Sequence, residues 1–361
     1  MSLIAPSVET RLAASWSGKD LSAFHRTLLR WYDAHRRDLP WRRTRDPYRI
    51  WLSEIMLQQT RVAAVFEHYR LFLKRFPTLR VLATADESSV LAAWSGLGYY
   101  RRARMLRQCA QQIVKDHGGR FPQSSTDLQT LPGIGRYTAA AIASIAFDEP
   151  VAVVDGNVER VLQRLAGSSL TAKQTWERAQ SLLVASRPGD FNQAMMELGA
   201  TVCTPRQPKC ATCPIRKWCV TQGEAPRTQS MARPEMERRA PSPGPTPMPI
   251  KPPPSSRQIK KETWCALNQR NGRIRLVQRP ANSSLMAAMW ELPQWPHCPR
   301  KIHDSPPWQT FRHSITVTDY TVHVLRTATP TAKGKWIPIA NLSQFPITGL
   351  TRKILRAAAI I

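Results

Sequence analysis

Glu54 stands in the stretch DPYRIWLSEIMLQQTRV (46–62), with Ile50, Trp51, Ile55 and Leu57 at i−4, i−3, i+1 and i+3. On a helix those four neighbours surround it with apolar side chains. Such a setting disfavours the charged carboxylate, raises its pKa and keeps a proton available near neutral pH, as a general acid requires. The ordinary alternative, an exposed glutamate on an amphipathic helix, conflicts with the apolar neighbours. A second carboxylate, Asp155, ends the apolar run of VAVVDGNVERVLQRL, where Gly156 and Asn157 open a new helix. Taken alone, Asp155 reads as an N-cap. The third group is thiols. Cys203, Cys210, Cys213 and Cys219 follow the spacing C-x6-C-x2-C-x5-C. Zinc ribbons offer two separated C-x2-C pairs, and finger sites mix in histidine. Four thiolates in one compact loop suit a [4Fe–4S] cluster better, with a structural zinc site as the alternative. Arg206, Lys209, Arg216 and Lys217 lie between the thiols and give the loop a positive face.

These groups need helices to position them. Apolar residues recur at three- and four-residue steps through LSAFHRTLLRWYDAH, VAAVFEHYRLFLKRF, SVLAAWSGLGYYRRARMLRQCAQQIV and WERAQSLLVA, so residues 20–222 are expected to be nearly all helix. Within them, SSTDLQTLPGIGRYTAAAIASIAF (124–147) reads as two helical segments joined by PGIG. Ser124 or Ser125 caps the first, and Pro132 and Gly133 stop it. Gly135 lets the backbone turn into the second helix, whose free N-terminal amides suit a phosphate. Ala139, Ala140, Ala141 and Ala143 allow close packing.

Residues 223–258 then hold ten of the chain's 30 prolines and are expected to be an extended linker. After them TWCALNQ, RIRLVQR, HSITVTDYTVHVL and KWIPIA alternate as strands do, and LTRKILRAAAI closes with a helix. The expected fold is mainly α: a helical domain over 1–222, a Pro-rich linker over 223–258, and an α+β domain over 259–361.

The formal net charge of +27 points to a polyanionic partner. No apolar run is long enough for a membrane span, and the N-terminus lacks an export signal, so nucleic acid leads and a cytoplasmic location is expected. Seven cysteines with one tight cluster fit a metal centre in a reducing compartment rather than a disulfide framework.

LPWR, DPYRIWLSEIMLQQTRV, GLGYYRRARML, LPGIGRYTAAAI, VVDGNVERVL, MMELGATVCT and the cysteine spacing occur in that order. Together they resemble the MutY-type adenine DNA glycosylases of the helix–hairpin–helix superfamily that includes endonuclease III. The resemblance covers residues 20–222. It implies a base-excision enzyme that removes adenine mispaired with 8-oxoguanine or guanine in double-stranded DNA. It makes Glu54 the catalytic acid and Asp155 the carboxylate that stabilises the oxocarbenium-like sugar, a division of labour known from glycoside hydrolysis. Tyr137 stands where strand-cutting relatives carry a nucleophilic lysine, which implies a monofunctional enzyme that leaves an abasic site. Asn157 matches a residue beside the catalytic aspartate. Gln59 and Thr60 match contacts to the lesion strand, and Arg42 and Gln193 match residues near the adenine pocket. Tyr99 matches a wedge beside 8-oxoguanine, a plug expected where a base is swung out of the duplex. Gly133 and Gly135 belong to the DNA-gripping hairpin, and the four cysteines to the [4Fe–4S] site. A monomer is expected.

Residues 259–361 resemble the family's Nudix-like C-terminal domain, through VQRPANSSLMAAMWELPQWP. They lack the glutamate-rich metal box of a working Nudix hydrolase, so binding is expected there rather than hydrolysis. The family's lesion-reading Phe-Ser-His turn falls on Ile315, Thr316 and Val317. Only Thr316 is a near equivalent, which puts the preference for 8-oxoguanine in question. Two rivals remain: an endonuclease III-like enzyme for oxidised pyrimidines, against which Tyr137 argues, and a non-catalytic iron–sulfur DNA-binding protein, against which Glu54 and Asp155 argue.

Overall fold

The computed structural model describes residues 16–222, 259–283, 285–297, 306–315, 317–326 and 334–361. The linker expected over 223–258 and the contact expected from Thr316 lie outside these residues.

The helices, in chain order, are α1 (Gly18–His35), α2 (Pro47–Leu57), α3 (Val62–Arg75), α4 (Leu79–Thr84), α5 (Glu87–Trp94), α6 (Arg101–Asp116), α7 (Ser125–Leu128), α8 (Arg136–Ala146), α9 (Gly156–Ala166), α10 (Ala172–Ser181), α11 (Pro188–Thr201) and α12 (Gly349–Ala357). The strands are β1 (Ile259–Ala266), β2 (Gln269–Arg270), β3 (Arg273–Gln278), β4 (Trp290–Glu291), β5 (Gln294–Trp295), β6 (Gln309–Ile315), β7 (Thr318–Leu325) and β8 (Lys335–Pro338). The chain divides into two compact units, one drawn from Met1–Thr84 and Met105–Met231, the other from Ala85–Arg104 and Ala232–Ile361. None of the described helices is long and apolar enough to cross a membrane.

In the first unit, Phe24, Leu28 and Tyr32 of α1 pack with Val158, Val161, Leu162 and Leu165 of α9 and with Phe191, Ala194, Met195 and Leu198 of α11. The i, i+3, i+4, i+7 spacing of the α9 set is the apolar stripe that drives this contact. Helix α2 differs, because Ile50 through Met56 are all buried. A helix apolar on every side lies inside the core, and it carries Glu54 in with it. Its start is fixed by Asp46, whose side chain accepts from Tyr48 N, with Pro47 at the first helical position.

Two glycines make the site possible. A Cβ at Gly199 of α11 would lie 2.6 Å from Asn157 Cβ, and one at Gly189 would lie 2.6 Å from Ser144 O. Only glycine lets α11 come this close to the start of α9 and to α8. Asn192 ties the same place together. Its Oδ1 accepts from Val153 N at 3.0 Å, and its Nδ2 donates to Val151 O and Ser144 Oγ at 2.9 Å each.

The second unit holds two sheets, ordered β5-β1-β7-β6 and β2-β3-β4, with β8 also paired to β3. Strands β1 and β7 run parallel, while β6 and β7 form an antiparallel pair whose last register is Ile315↔Thr318. Cys265, Ile274, Leu276, Leu292, Val322, Val324, Ile354 and Leu355 form its core. Ser95 Oγ donates to Ile347 O at 2.8 Å, which ties the loop after α5 into this unit.

Candidate active site and cysteine centre

A cavity of about 480 Å³ opens in the first unit. Arg42, Glu54, Gln59, Thr60, Tyr137, Asp155, Asn157 and Gln193 all line it. Eight residues expected from sequence, spread over more than 150 positions, therefore meet around one space of the size that holds a small-molecule group.

Glu54 is 7 % exposed, on the buried helix α2. Burial pushes its carboxyl up to about 7, and the charge of Asp155 pushes the same way, while the Tyr137 hydroxyl and Arg42 oppose them. Tyr137, on α8, donates from its hydroxyl to Glu54 Oε2 at 2.9 Å. Its own hydroxyl is pushed far above the ordinary range, first by burial and then by Glu54 and Asp155, so it remains a donor. The pair leaves one Glu54 oxygen for a substrate.

Asp155 is the N-cap of α9. Its Oδ1 accepts from Asn157 N at 2.9 Å and Val158 N at 2.8 Å, and its Oδ2 accepts from Asn157 Nδ2 at 2.9 Å. The cap expected from sequence is thus made by the same side chain for which a catalytic role is expected. The amides fix its orientation, and the helix N-terminus favours its negative charge.

Glu197, on α11, also lines the cavity and was not singled out in the sequence. It is fully buried and accepts from Arg37 Nε and Nη2 at 2.7 Å each, and from Arg42 Nη2 at 2.8 Å. Burial alone would raise its carboxyl, but the two guanidiniums hold it down at about 2. Arg42 is thereby clamped against the wall of the cavity. The signal that reveals Glu54, a glutamate inside an apolar helix, is present for Glu197 in NQAMMELGA. Arg37 has no such signal, lying among five arginines between 36 and 45. Trp41 and Met196 also line the cavity.

Gln59 follows α2 in a left-handed conformation, φ 55°, and is exposed at the cavity. A non-glycine residue held there costs about 1 kcal/mol. In the hairpin Ser124 caps α7 through a bond from Asp127 N at 3.0 Å, Gly133 has φ 76°, and Gly135 is the N-cap of α8 with no side chain over the amides, but α7 ends at Leu128 rather than at the expected stop, Pro132 and Gly133. Tyr99 belongs to the second unit, where it is 57 % exposed.

Cys203, Cys210, Cys213 and Cys219 line a separate cavity of about 70 Å³. Among the described residues no three ligating side chains are spaced to hold a single metal ion. The four thiols thus share one small cavity, a donor set of the kind that holds an iron–sulfur cluster. Burial pushes the Cys213 thiol up to about 11, with the other three adding like-charge repulsion. Sequence reasoning missed the two arginines that frame this centre. Arg164 Nη1 reaches Cys203 Sγ at 3.1 Å and Thr204 O at 2.9 Å. Arg160 donates to Cys203 O, Gly199 O and Asn157 Oδ1 at 2.8–2.9 Å.

Residues 52–184 match the family described as HhH-GPD superfamily base excision DNA repair protein. The adenine DNA glycosylase of Homo sapiens is 43 % identical over 317 residues, covering 76 % of this chain and 58 % of that protein. That of Arabidopsis thaliana is 40 % identical over 310 residues, covering 74 % and 46 %. The chain thus spans about half the length of these relatives. The solved structure of a thermostable thymine-DNA glycosylase is 34 % identical with a TM-score of 0.54, covering 57 % of this chain and 98 % of that one.

Proposed function

The chain belongs to the HhH-GPD superfamily of base excision DNA repair proteins, and from that premise we propose that it is a monofunctional adenine DNA glycosylase acting on adenine opposite 8-oxoguanine or guanine in duplex DNA. The observation that carries the reading is the pair of carboxylates on one cavity with opposed surroundings: Glu54 buried and raised to about 7, Asp155 capped by amides.

The adenine, rotated out of the stack, enters the 480 Å³ cavity. Glu54 gives its proton to a ring nitrogen, so that the base leaves neutral. Tyr137 holds that carboxyl in place. As the N-glycosidic bond breaks, positive charge grows on the sugar, and Asp155 faces it as a fixed anion. Water then adds to the sugar carbon, its proton passing to the now ionised Glu54, which leaves an abasic site. Arg42, clamped by Glu197, and Gln193 offer hydrogen bonds to the purine edge. The hairpin amides at Gly133–Gly135 grip backbone phosphate. Tyr99 acts as the wedge in the duplex. The four cysteines fit a [4Fe–4S] cluster, which when bound would hold their loop rigid and present its basic residues to phosphate.

The residues lining the cavity, as described, include no lysine. That supports hydrolysis over the Schiff-base chemistry of strand-cutting relatives. The family's lesion-reading turn falls on the connection between β6 and β7. With Ile315 and Val317 there in place of an aromatic ring and a histidine, discrimination of 8-oxoguanine from guanine should be weaker than in chains that carry the full turn.

Single-turnover assays with adenine opposite 8-oxoguanine, guanine or thymine test the reading. Strand breakage only after hot alkali, fastest opposite 8-oxoguanine and lost in Glu54→Gln, is expected. Breakage without alkali, with borohydride-trapped adduct, would establish a lyase instead. Duplex binding without any base release would leave a DNA-binding protein.

A further inference from the structure

Tyr99 combines two features that are each unfavourable for a tyrosine. It is a large aromatic residue with 57 % of its surface exposed, and its backbone is left-handed at φ 48°. Neither is favourable for tyrosine in isolation, so the surrounding structure must hold it there. The loop around it is built for that. Gly96 and Gly98 take φ 111° and 71°, and the buried Trp94 donates from Nε1 to Gly98 O at 3.2 Å. The side chain behind the ring is Arg102, only 6 % exposed. Its guanidinium carbon lies 5.5 Å from the Tyr99 ring centroid and 5.4 Å from that of Trp94. Its Nη2 donates to Leu97 O and Gly98 O at 3.3 Å each, and its backbone N–H to Tyr99 O at 2.9 Å.

A buried guanidinium facing both an anchored indole and an exposed phenol is an unusual use of an arginine in a DNA-binding chain, where such cations ordinarily face phosphate. Here the cation is withdrawn from solvent and spent on the loop and its aromatic rings. A cation–π contact is directional, so it sets the ring's orientation as well as its place. We infer that Arg102 is the positioning residue of Tyr99: through its guanidinium it holds the exposed ring in the pose from which that ring enters the duplex. Arg102 itself touches neither the base nor the sugar. The inference rests on the reading of Tyr99 as the wedge, given above.

A double-mutant cycle on the full chain with its cluster tests it. Tyr99→Ala, Arg102→Met and the double variant are compared on duplexes with 2-aminopurine opposite 8-oxoguanine, whose fluorescence reports extrusion, and with adenine there, which reports single-turnover base release. Thermal melts accompany each. If Arg102 acts through Tyr99, Arg102→Met lowers extrusion and base release by about fivefold or more while the melts show the protein still folded at the assay temperature. The double variant is then no slower than Tyr99→Ala, and Arg102→Lys recovers part of the loss. Losses that multiply in the double variant, or Arg102→Met extruding like the parent while Tyr99→Ala does not, overturn the inference. Parent-like extrusion by Tyr99→Ala instead removes the wedge reading itself, a separate result. Should Arg102→Met fail to fold, the same cycle with Arg102→Lys decides by the same criterion.

Discussion

Glu54 and Glu197 are both buried on the lining of one cavity, and their surroundings drive them in opposite directions. Around Glu54 the helix α2 supplies apolar side chains and one neutral donor, Tyr137. Around Glu197 two guanidiniums supply three side-chain hydrogen bonds. Desolvation acts on both, but it wins at the first, near 7, and loses at the second, near 2. The same residue type therefore yields a carboxyl that can hold its proton near neutral pH at one place on the lining and an ion-paired carboxylate at another. The comparison teaches that burial sets the stakes for a carboxyl, and that its partners decide its charge.

The largest expected effect comes from breaking the first half. Glu54→Gln removes the acid and should slow base release by roughly 10²–10⁴-fold while duplex affinity persists, measured by single-turnover kinetics and gel shift. Breaking the second half should injure the fold before the chemistry. Glu197→Gln leaves Arg42, almost enclosed, without its counter-charge. Urea unfolding should show a loss of about 3 kcal/mol, the low end for a broken buried pair because Arg37 is 40 % exposed. Gly199→Ala forces a methyl against Asn157. About 1–3 kcal/mol of strain should appear in the melt, with slower base release because Asp155 loses its Asn157 bond.

The smallest effect sharpens the comparison. Activity needs Glu54 protonated, so the rate should fall as pH rises through about 7. Tyr137 donates to the ionised form and so lowers the Glu54 pKa. Tyr137→Phe should therefore move the falling limb toward higher pH, by up to about one pH unit for one hydrogen bond. A shift to lower pH would mean that the hydroxyl serves the neutral acid instead.

Most of this site could be read from residues in order. Glu54 and the four cysteines each sit in a local pattern whose chemistry is unusual enough to notice, whereas Asp155 alone reads as a cap, and its catalytic role and that of Tyr137 come only from the family resemblance. Helix and strand periods were equally plain, because amphipathic repeats are local. What escaped was pairing at a distance. Arg37 and Glu197 are 160 positions apart, and nothing in HRRDLPWRR distinguishes the arginine that will meet a glutamate from those that will not. Likewise, the periodicity of 85–104 reads as one more helical stretch, yet Ser95 and Tyr100 bond to Ile347 across about 250 positions. Arg160 and Arg164 look like the solvent face of an amphipathic helix until the cysteine loop folds over them.

The capping role of Asp155 has a consequence for how the protein fails. The bonds that begin α9 are also the bonds that aim the carboxylate proposed to face the sugar. Fraying of that single helical turn would switch off chemistry while the core clusters and the DNA-gripping hairpin persist. Local opening of this kind is far more frequent than global unfolding. Under the proposed mechanism, a molecule that opens at this turn loses activity rather than cleaving with a misdirected carboxylate.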